Sequence, residues 1–341
     1  MESILILTHA DGSGTALTHA SLEAVTAGQQ LSARLGAAMT VGIVSADPTP
    51  LSKGLPCAVA AVSGEAFGQP RYATDAAACE ALCRAANPSM VLAPASSRFS
   101  RVMAGVAHRL GGVIDTHITS ISGEDTIEAS RWLYRQRIEA VLARETRPWF
   151  LLLDAGTHPA FIADPAAPAA MIEEIDVPLP PTRTTVTGES SPQQDGKNGA
   201  GQTIRPEAGL LFVAGAGWTK KQPDGQVHTR EAGELILGFL RASGASLGSS
   251  KSLVDQGDSV LPFLTHLNQV GQTGATPRHS KGLSTCCHGE EPHVVGWRFV
   301  GQRRAISLDP NCGWTRGKAD VVYVADAFQV MAKVNELLAA R

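Results

Sequence analysis

At 341 residues the chain exceeds what one ordinary hydrophobic core supports, and two domains are the default expectation. Apolar residues make up 43% and charged residues 18%, a soluble globular balance, and a net charge of −3 offers no field to attract nucleic acid. No apolar run is long enough to span a bilayer, so direct membrane insertion is not expected. Met1-Glu2-Ser3-Ile4-Leu5-Ile6-Leu7 has neither a basic region nor a cleavage site and reads as a first strand. The six cysteines form no disulfide framework; Cys79 and Cys83, at helical spacing, read as core-facing thiols. Cytoplasmic is the simple localisation.

Residues 1–162 read as a first α/β domain. Ile4–Leu7 is a buried strand, and Leu17–Leu35 a helix stopped by Gly36. Met39–Val44 and Ala58–Val62 are the next strands. Thr74–Ala86 is a helix with Thr74 at its N-cap, ended by Asn87-Pro88. Met90–Ala93 is a strand, and Ser100–Leu110 a helix closed by Gly111-Gly112. This alternation predicts a parallel sheet with helices on both faces. Ile118–Ile121, Ile127–Tyr134, Glu139–Ala143 and Trp149–Leu153 then read as an antiparallel addition to that sheet.

Residues 163–207 are rich in Pro, Ala, Thr, Ser, Gln and Gly and read as a linker, extended at Pro178-Leu179-Pro180-Pro181. Residues 208–341 read as a second, doubly wound flavodoxin- or Rossmann-like domain. Its expected strands are Gly209–Ala214, Leu283–Cys286, Arg304–Leu308 and Val321–Val324. Its helices are Arg230–Ala242, followed by Gly244, and Phe328–Leu338. Ligands on such sheets bind beyond the carboxyl ends of the strands, where the strand order reverses.

One segment there carries the most specific chemistry. Gln269-Val270-Gly271-Gln272-Thr273-Gly274 sets glycines around a Gln-Thr pair, which lets backbone and hydroxyl groups approach a ligand closely. Cys287-His288-Gly289 and then His293 deliver an imidazole from a second turn. Together they suggest a site for a large heteroaromatic cofactor carrying phosphates. A metal site at Cys286-Cys287-His288 is disfavoured, because adjacent strand residues point to opposite faces and no Cys-x-x-Cys pair accompanies them. Ser100, His108 and Asp115 lack the elbow sequence of a nucleophile motif.

These residues resemble the alpha subunit of electron transfer flavoproteins, a family related to nitrogen-fixation flavoprotein subunits. Gln269–Gly274 matches that family's motif intact. Gly248-Ser249-Ser250-Lys251 with Val254-Asp255, the turn from His288-Gly289 to His293, Asp309-Pro310, Ala319-Asp320 and Val324-Ala325-Asp326 follow in the family's order. The resemblance implies FAD held mainly by the second domain, at an interface with a separate beta subunit. The first domain then serves as the docking surface for that subunit. It also implies an electron carrier, without a substrate of its own, linking a donor dehydrogenase to an acceptor quinone oxidoreductase.

By the same resemblance Thr273 lies near the flavin N5, and His293 faces the flavin O2 and stabilises negative charge on the reduced ring. Gln272 reaches the ring or the ribityl chain, and Ser250 the pyrophosphate. Asp320 reaches the adenosine half. Gln269, Val270, Gly271, Gly274, His288, Gly289 and Ser307 complete the implied cofactor set. Several positions depart from the family. Its phosphate-facing arginine is lost from Gly215-Ala216-Gly217-Trp218, with Lys220 or Lys221 as replacement charges. Lys251 stands for a stacking arginine, His288 for a serine and Ser307 for an asparagine, while Glu290-Glu291 add negative charge. The competing readings are a degenerate, flavin-free alpha subunit that only assembles a redox complex, and a simple adenine-nucleotide sensor.

Overall fold

The computed structural model describes the chain apart from residues 1, 124–125, 135–137, 165, 169, 189–203, 206–207, 258–259, 272, 286–298, 311–318 and 341. It divides into two compact units, Met1–Glu189 and Ser190–Arg341. Among the described residues no helix is long and apolar enough to cross a membrane.

The first unit is built on one nine-stranded sheet. Its strands are β1 (Ser3–His9), β2 (Ala38–Ser45), β3 (Ala58–Ser63), β4 (Met90–Pro94), β5 (Val113–Ser122), β6 (Glu128–Leu133), β7 (Ile138–Leu142), β8 (Trp149–Leu153) and β9 (Ile172–Glu174). Their order is β7-β6-β5-β8-β4-β1-β2-β3-β9. Only β6 and β7 run antiparallel to their neighbours. The helices are α1 (His19–Leu35), α2 (Glu65–Gly68), α3 (Tyr72–Ala86), α4 (Ser97–Ser100) and α5 (Met103–Arg109). Alternation along the strands builds a core on each face. Ile4, Ile6, Val41 and Leu92 meet Ala24 and Leu31 of α1 on one side. Leu5, Leu7 and Val91 meet Cys79, Leu82 and Val106 on the other. Burial pushes the Cys83 thiol up to about 12.

Several expectations are corrected in detail. Trp149–Leu153 is no antiparallel addition: β8 lies in the sheet interior, parallel to both β4 and β5. All five of its residues are buried, as a continuous apolar run in a parallel sheet should be. Helix α3 starts at Tyr72, and the Thr74 hydroxyl bonds back to the Arg71 carbonyl instead of capping the helix. The helix expected over Ser100–Leu110 is interrupted, α4 ending at Ser100 and α5 starting at Met103. Within the stretch read as linker, Ile172–Glu174 pairs with β3 as an edge strand. Gly36 does cap α1, in the left-handed conformation at φ 59°.

The second unit has a five-stranded parallel sheet: β10 (Leu210–Ala214), β11 (Ser246–Ser249), β12 (His279–Thr285), β13 (Val300–Ser307) and β14 (Val321–Val324). Its order, β11-β10-β12-β13-β14, is the flavodoxin-like arrangement, with the reversal between β10 and β12. Strand β11 did not stand out in the sequence. Helices α6 (Thr229–Ser243) and α8 (Ala327–Ala339) pack together over Phe212 and Leu247 through Ile236, Phe239, Phe328 and Met331. Between them in sequence stands the single turn α7 (Lys251–Val254).

Two buried polar groups of the first unit give it a defined response to mutation and acid. Asp75 is fully buried on α3 and receives Arg98 Nε at 2.9 Å and Nη2 at 2.7 Å, with Arg101 at 3.3 Å. Asp75→Ala strands the Arg98 guanidinium in the core and should cost roughly 3–5 kcal/mol in urea unfolding. Adding Arg98→Met to that variant should return part of the loss. His9, at the end of β1, is held neutral by burial, which pushes its pKa down to about 4 from the ordinary 6.5. The unfolded chain takes up this proton near pH 6.5 and the folded ring resists it until about pH 4. The His9 contribution is therefore complete above pH 6.5 and is lost as pH falls to about 4, a loss of roughly 3 kcal/mol. In denaturation curves recorded across that window, His9→Gln should flatten the acid side.

Candidate functional site

The carboxyl ends of β10, β11 and β13, together with the start of α8, form one edge of the second sheet. The turn after β10 is fastened there from two directions. Gly215 N donates to the Thr285 carbonyl at 2.9 Å, and Trp218 Nε1 donates to the Thr285 hydroxyl at 2.9 Å. The Trp218 ring is fully buried, 4.6 Å from the Phe328 ring. Sequence reasoning did not foresee this: Trp218, which stands where the resemblance implies a phosphate-facing arginine, has turned into the core. Lys220 and Lys221 follow it and line a cleft of about 360 Å3 with Ser307, Asp309 and Asp326. Asp326 caps α8, accepting from Phe328 N at 2.8 Å and Gln329 N at 3.4 Å. The signal for it was an aspartate just before an apolar helical pattern.

The Gln-Val-Gly-Gln-Thr-Gly segment sits beside β11. Val270 N donates to the Ser249 carbonyl at 2.9 Å, adding a parallel bridge at the last residue of that strand. Its side chain enters the apolar group of Leu211, Val213 and Val300. Gly248 makes room for it, since a Cβ there would lie 2.6 Å from Val270 Cγ2. The segment then closes on itself: Gly271 N donates to the Ala275 carbonyl at 3.0 Å and Ala275 N to the Gln269 carbonyl at 2.7 Å. Gly274 is obligatory in this closure, because a Cβ would stand 2.2 Å from the Gln269 carbonyl oxygen. Gln269 is buried, and its Nε2 donates to the hydroxyl of exposed Thr273 at 2.6 Å. That hydroxyl keeps its proton for an outside acceptor.

Ser250 stands next to this loop. Its N–H donates to the Ala214 carbonyl at 2.9 Å, and its hydroxyl oxygen accepts from Leu253 N at 3.3 Å as the N-cap of α7. The exposed Lys251 ammonium is drawn into an ion pair with Asp255, which His266 also approaches at 3.2 Å. The bond from Lys251 holds the Asp255 carboxyl below its usual range. Ser307 is buried at the end of β13, its hydroxyl accepting from Asp309 N at 3.1 Å.

Asp320 is not brought to this edge. It precedes β14 and accepts from Arg303 N at 2.7 Å and Arg303 Nη2 at 3.1 Å, bonds that depress its pKa. Arg303 lies four residues before Ser307 on β13, so this places Asp320 about 13 Å away along the sheet by strand rise. Gln272, His288, Gly289 and His293 lie outside the described residues, as do Cys286 and Cys287.

The family model for the electron transfer flavoprotein domain matches residues 6–180, just over half of the chain. The chain belongs to the electron transfer flavoprotein domain family. No curated protein matches it. The matched residues lie in the first unit, whereas the Gln269–Gly274 loop lies in the second. For this electron transfer flavoprotein family member, the loop geometry has a direct consequence. Gly274→Ala should open the turn, and the Ala275 amide should exchange its hydrogen at least roughly tenfold faster, equivalent to about 1.4 kcal/mol of local stability. Unchanged protection of Ala275 by hydrogen-exchange mass spectrometry would contradict the closure described.

Proposed function

We propose that this chain is the alpha subunit of a heterodimeric electron transfer flavoprotein that holds FAD along the carboxyl edge of its second sheet. It would carry electrons from a donor dehydrogenase towards a quinone oxidoreductase and convert no substrate of its own. Its first unit would dock the beta subunit. The observation that carries this reading is the closed Gln269–Ala275 loop, bridged to the end of β11 beside Ser250. Flavodoxin-like sheets offer ligands this same edge.

The residues present fit such a cofactor. Bound FAD supplies the redox chemistry; the chain supplies position and polarity. Thr273, with its oxygen occupied by Gln269, presents a hydroxyl proton towards the ring. Ser250 uses its oxygen to cap α7 and has its proton free for a pyrophosphate oxygen. Lys220 and Lys221 supply the cleft with the positive charge that Trp218 no longer provides. Asp309 and Asp326 line the same cleft and suit hydroxyls of the adenosine half, which the resemblance gave to Asp320. Gln272 and His293 retain their implied roles at the ring, and His288, Gly289 and Ser307 theirs in the surrounding turn and strand end.

The flavin-free reading draws on two observations: Lys251 is engaged by Asp255, and two carboxylates share the cleft with the lysines. Co-purification with the beta subunit separates the two. Visible absorption should show close to one FAD per heterodimer, and a colourless heterodimer would overturn the flavin-bearing reading. In the coloured protein, His293→Ala removes a hydrogen bond to the charged reduced ring. Its potential should fall by about 30–60 mV, the equivalent of 1.5–3 kcal/mol over two electrons. An unchanged potential would remove His293 from the ring.

A further inference from the structure

We propose that the second unit also carries a binding site for an amphipathic organic acid, in the groove between α8 and strands β12, β13 and β14. This site lies on the helix-bearing face of the sheet and does not depend on the flavin reading. The groove encloses about 500 Å3. That volume falls within the roughly 300–1,000 Å3 typical of small-molecule sites.

Parallel register orders its lining along the strands. Lys281 pairs with Gln302, Leu283 with Arg304, and Ile306 with Tyr323. Residues two apart on a strand share a face, so Lys281 and Gln302 come first along β12 and β13, Leu283 and Arg304 next, and Ile306 and Tyr323 toward the carboxyl ends, with Leu210 of β10 level with Lys281. Val330 and Val334, four residues apart on α8, form the wall above. Tyr323, on edge strand β14, is 43% exposed there.

The charge pattern selects the ligand. Lys281 and Arg304 lie on adjacent strands, two residues out of step, which puts their Cα atoms about 8 Å apart by strand spacing and rise. Both are exposed, and among the described residues neither has a carboxylate partner. Two neighbouring cations set among apolar walls, with Ile306, Tyr323 and Ala325 continuing toward the carboxyl ends, complement a carboxylate with an alkyl or aryl tail. A neutral amphiphile would bury its tail and leave the cations unmatched, and a cationic one would be repelled. A second protein is a poorer fit, since a stable interface covers about 800 Å2 on each side, more than one slot beside one helix supplies.

Calorimetric titration of the full chain with decanoate, decanol and decylammonium tests this. One saturable site for decanoate, at least tenfold tighter than for either analogue, is expected. The Lys281→Gln, Arg304→Gln double variant, altered only at exposed positions, should weaken decanoate at least tenfold and leave decanol unchanged. Absence of saturable decanoate binding below its micellar concentration would overturn the proposal. So would equal affinity for the three ligands, or full affinity in the double variant with native circular dichroism. The ligand series on the unaltered protein decides the matter even if the variant does not fold.

Discussion

A single backbone hydrogen bond, from the Val270 amide to the Ser249 carbonyl, seats the Gln269–Ala275 loop against β11. It is 2.9 Å long and bridges Gln269 to Ser249, the last residue of β11, on the edge away from β10. Beyond this point the chain no longer runs as a strand but folds back within six residues. Two neighbours make the bond possible. Gly248 lacks the Cβ that would strike Val270, and Leu211, Val213 and Val300 receive the valine side chain. The loop is thus anchored by apolar burial at one residue and leaves polar groups pointing outward at the next few.

The turn after β10 shows a different solution to a neighbouring problem. A tryptophan in place of a guanidinium gains a buried ring contact with Phe328 and a hydrogen bond to Thr285. On the resemblance, it stands in place of a planar, bidentate group facing outward. Lys220 and Lys221 restore charge only as flexible, hydrated points. On the proposed reading, the phosphate end of the site is therefore held by screened Coulomb attraction more than by fixed geometry. The ring end is held by the closed loop. Firmness and adaptability are divided between the two ends of one site.

Much of this fold was legible in the sequence, for reasons that differ by element. Leu17–Leu35 and Arg230–Ala242 announced themselves through helical periodicity and a glycine stop, and both stops adopt the left-handed conformation. Trp149–Leu153 was legible as a strand but not in direction, because a continuous apolar run reports burial on both faces and says nothing of neighbours. Ile172–Glu174 was hidden in a Pro- and Ala-rich stretch; the open edge of β3, not local propensity, makes it a strand. At the site, contiguous residues were legible and separated ones were not. Gln269–Gly274 could be read as one object because its bonds are local. Asp320 stands directly before the expected strand Val321–Val324 and so at its amino end, away from the carboxyl edge; only the resemblance assigned it to the cofactor. Trp218 was hidden because only tertiary packing decides whether a residue after a turn faces ligand or core.

The two lines of support for the flavoprotein reading rest on different residues. The family match covers the first unit, and the loop geometry belongs to the second, each with its own sheet and core. The loop itself bears on whether this chain is more than an assembly subunit. Gln269 is buried, yet it gives its amide proton to a hydroxyl on the surface rather than to backbone inside. Thr273 alone could be satisfied by water, but the buried Gln269 amide could not, and leaving that donor unpaired would cost about 1–3 kcal/mol. The bond therefore serves the fold first, by satisfying a buried group and closing the loop. It also holds the Thr273 side chain in one place at the surface. On the proposed reading, that fixed hydroxyl is what the loop offers a flavin.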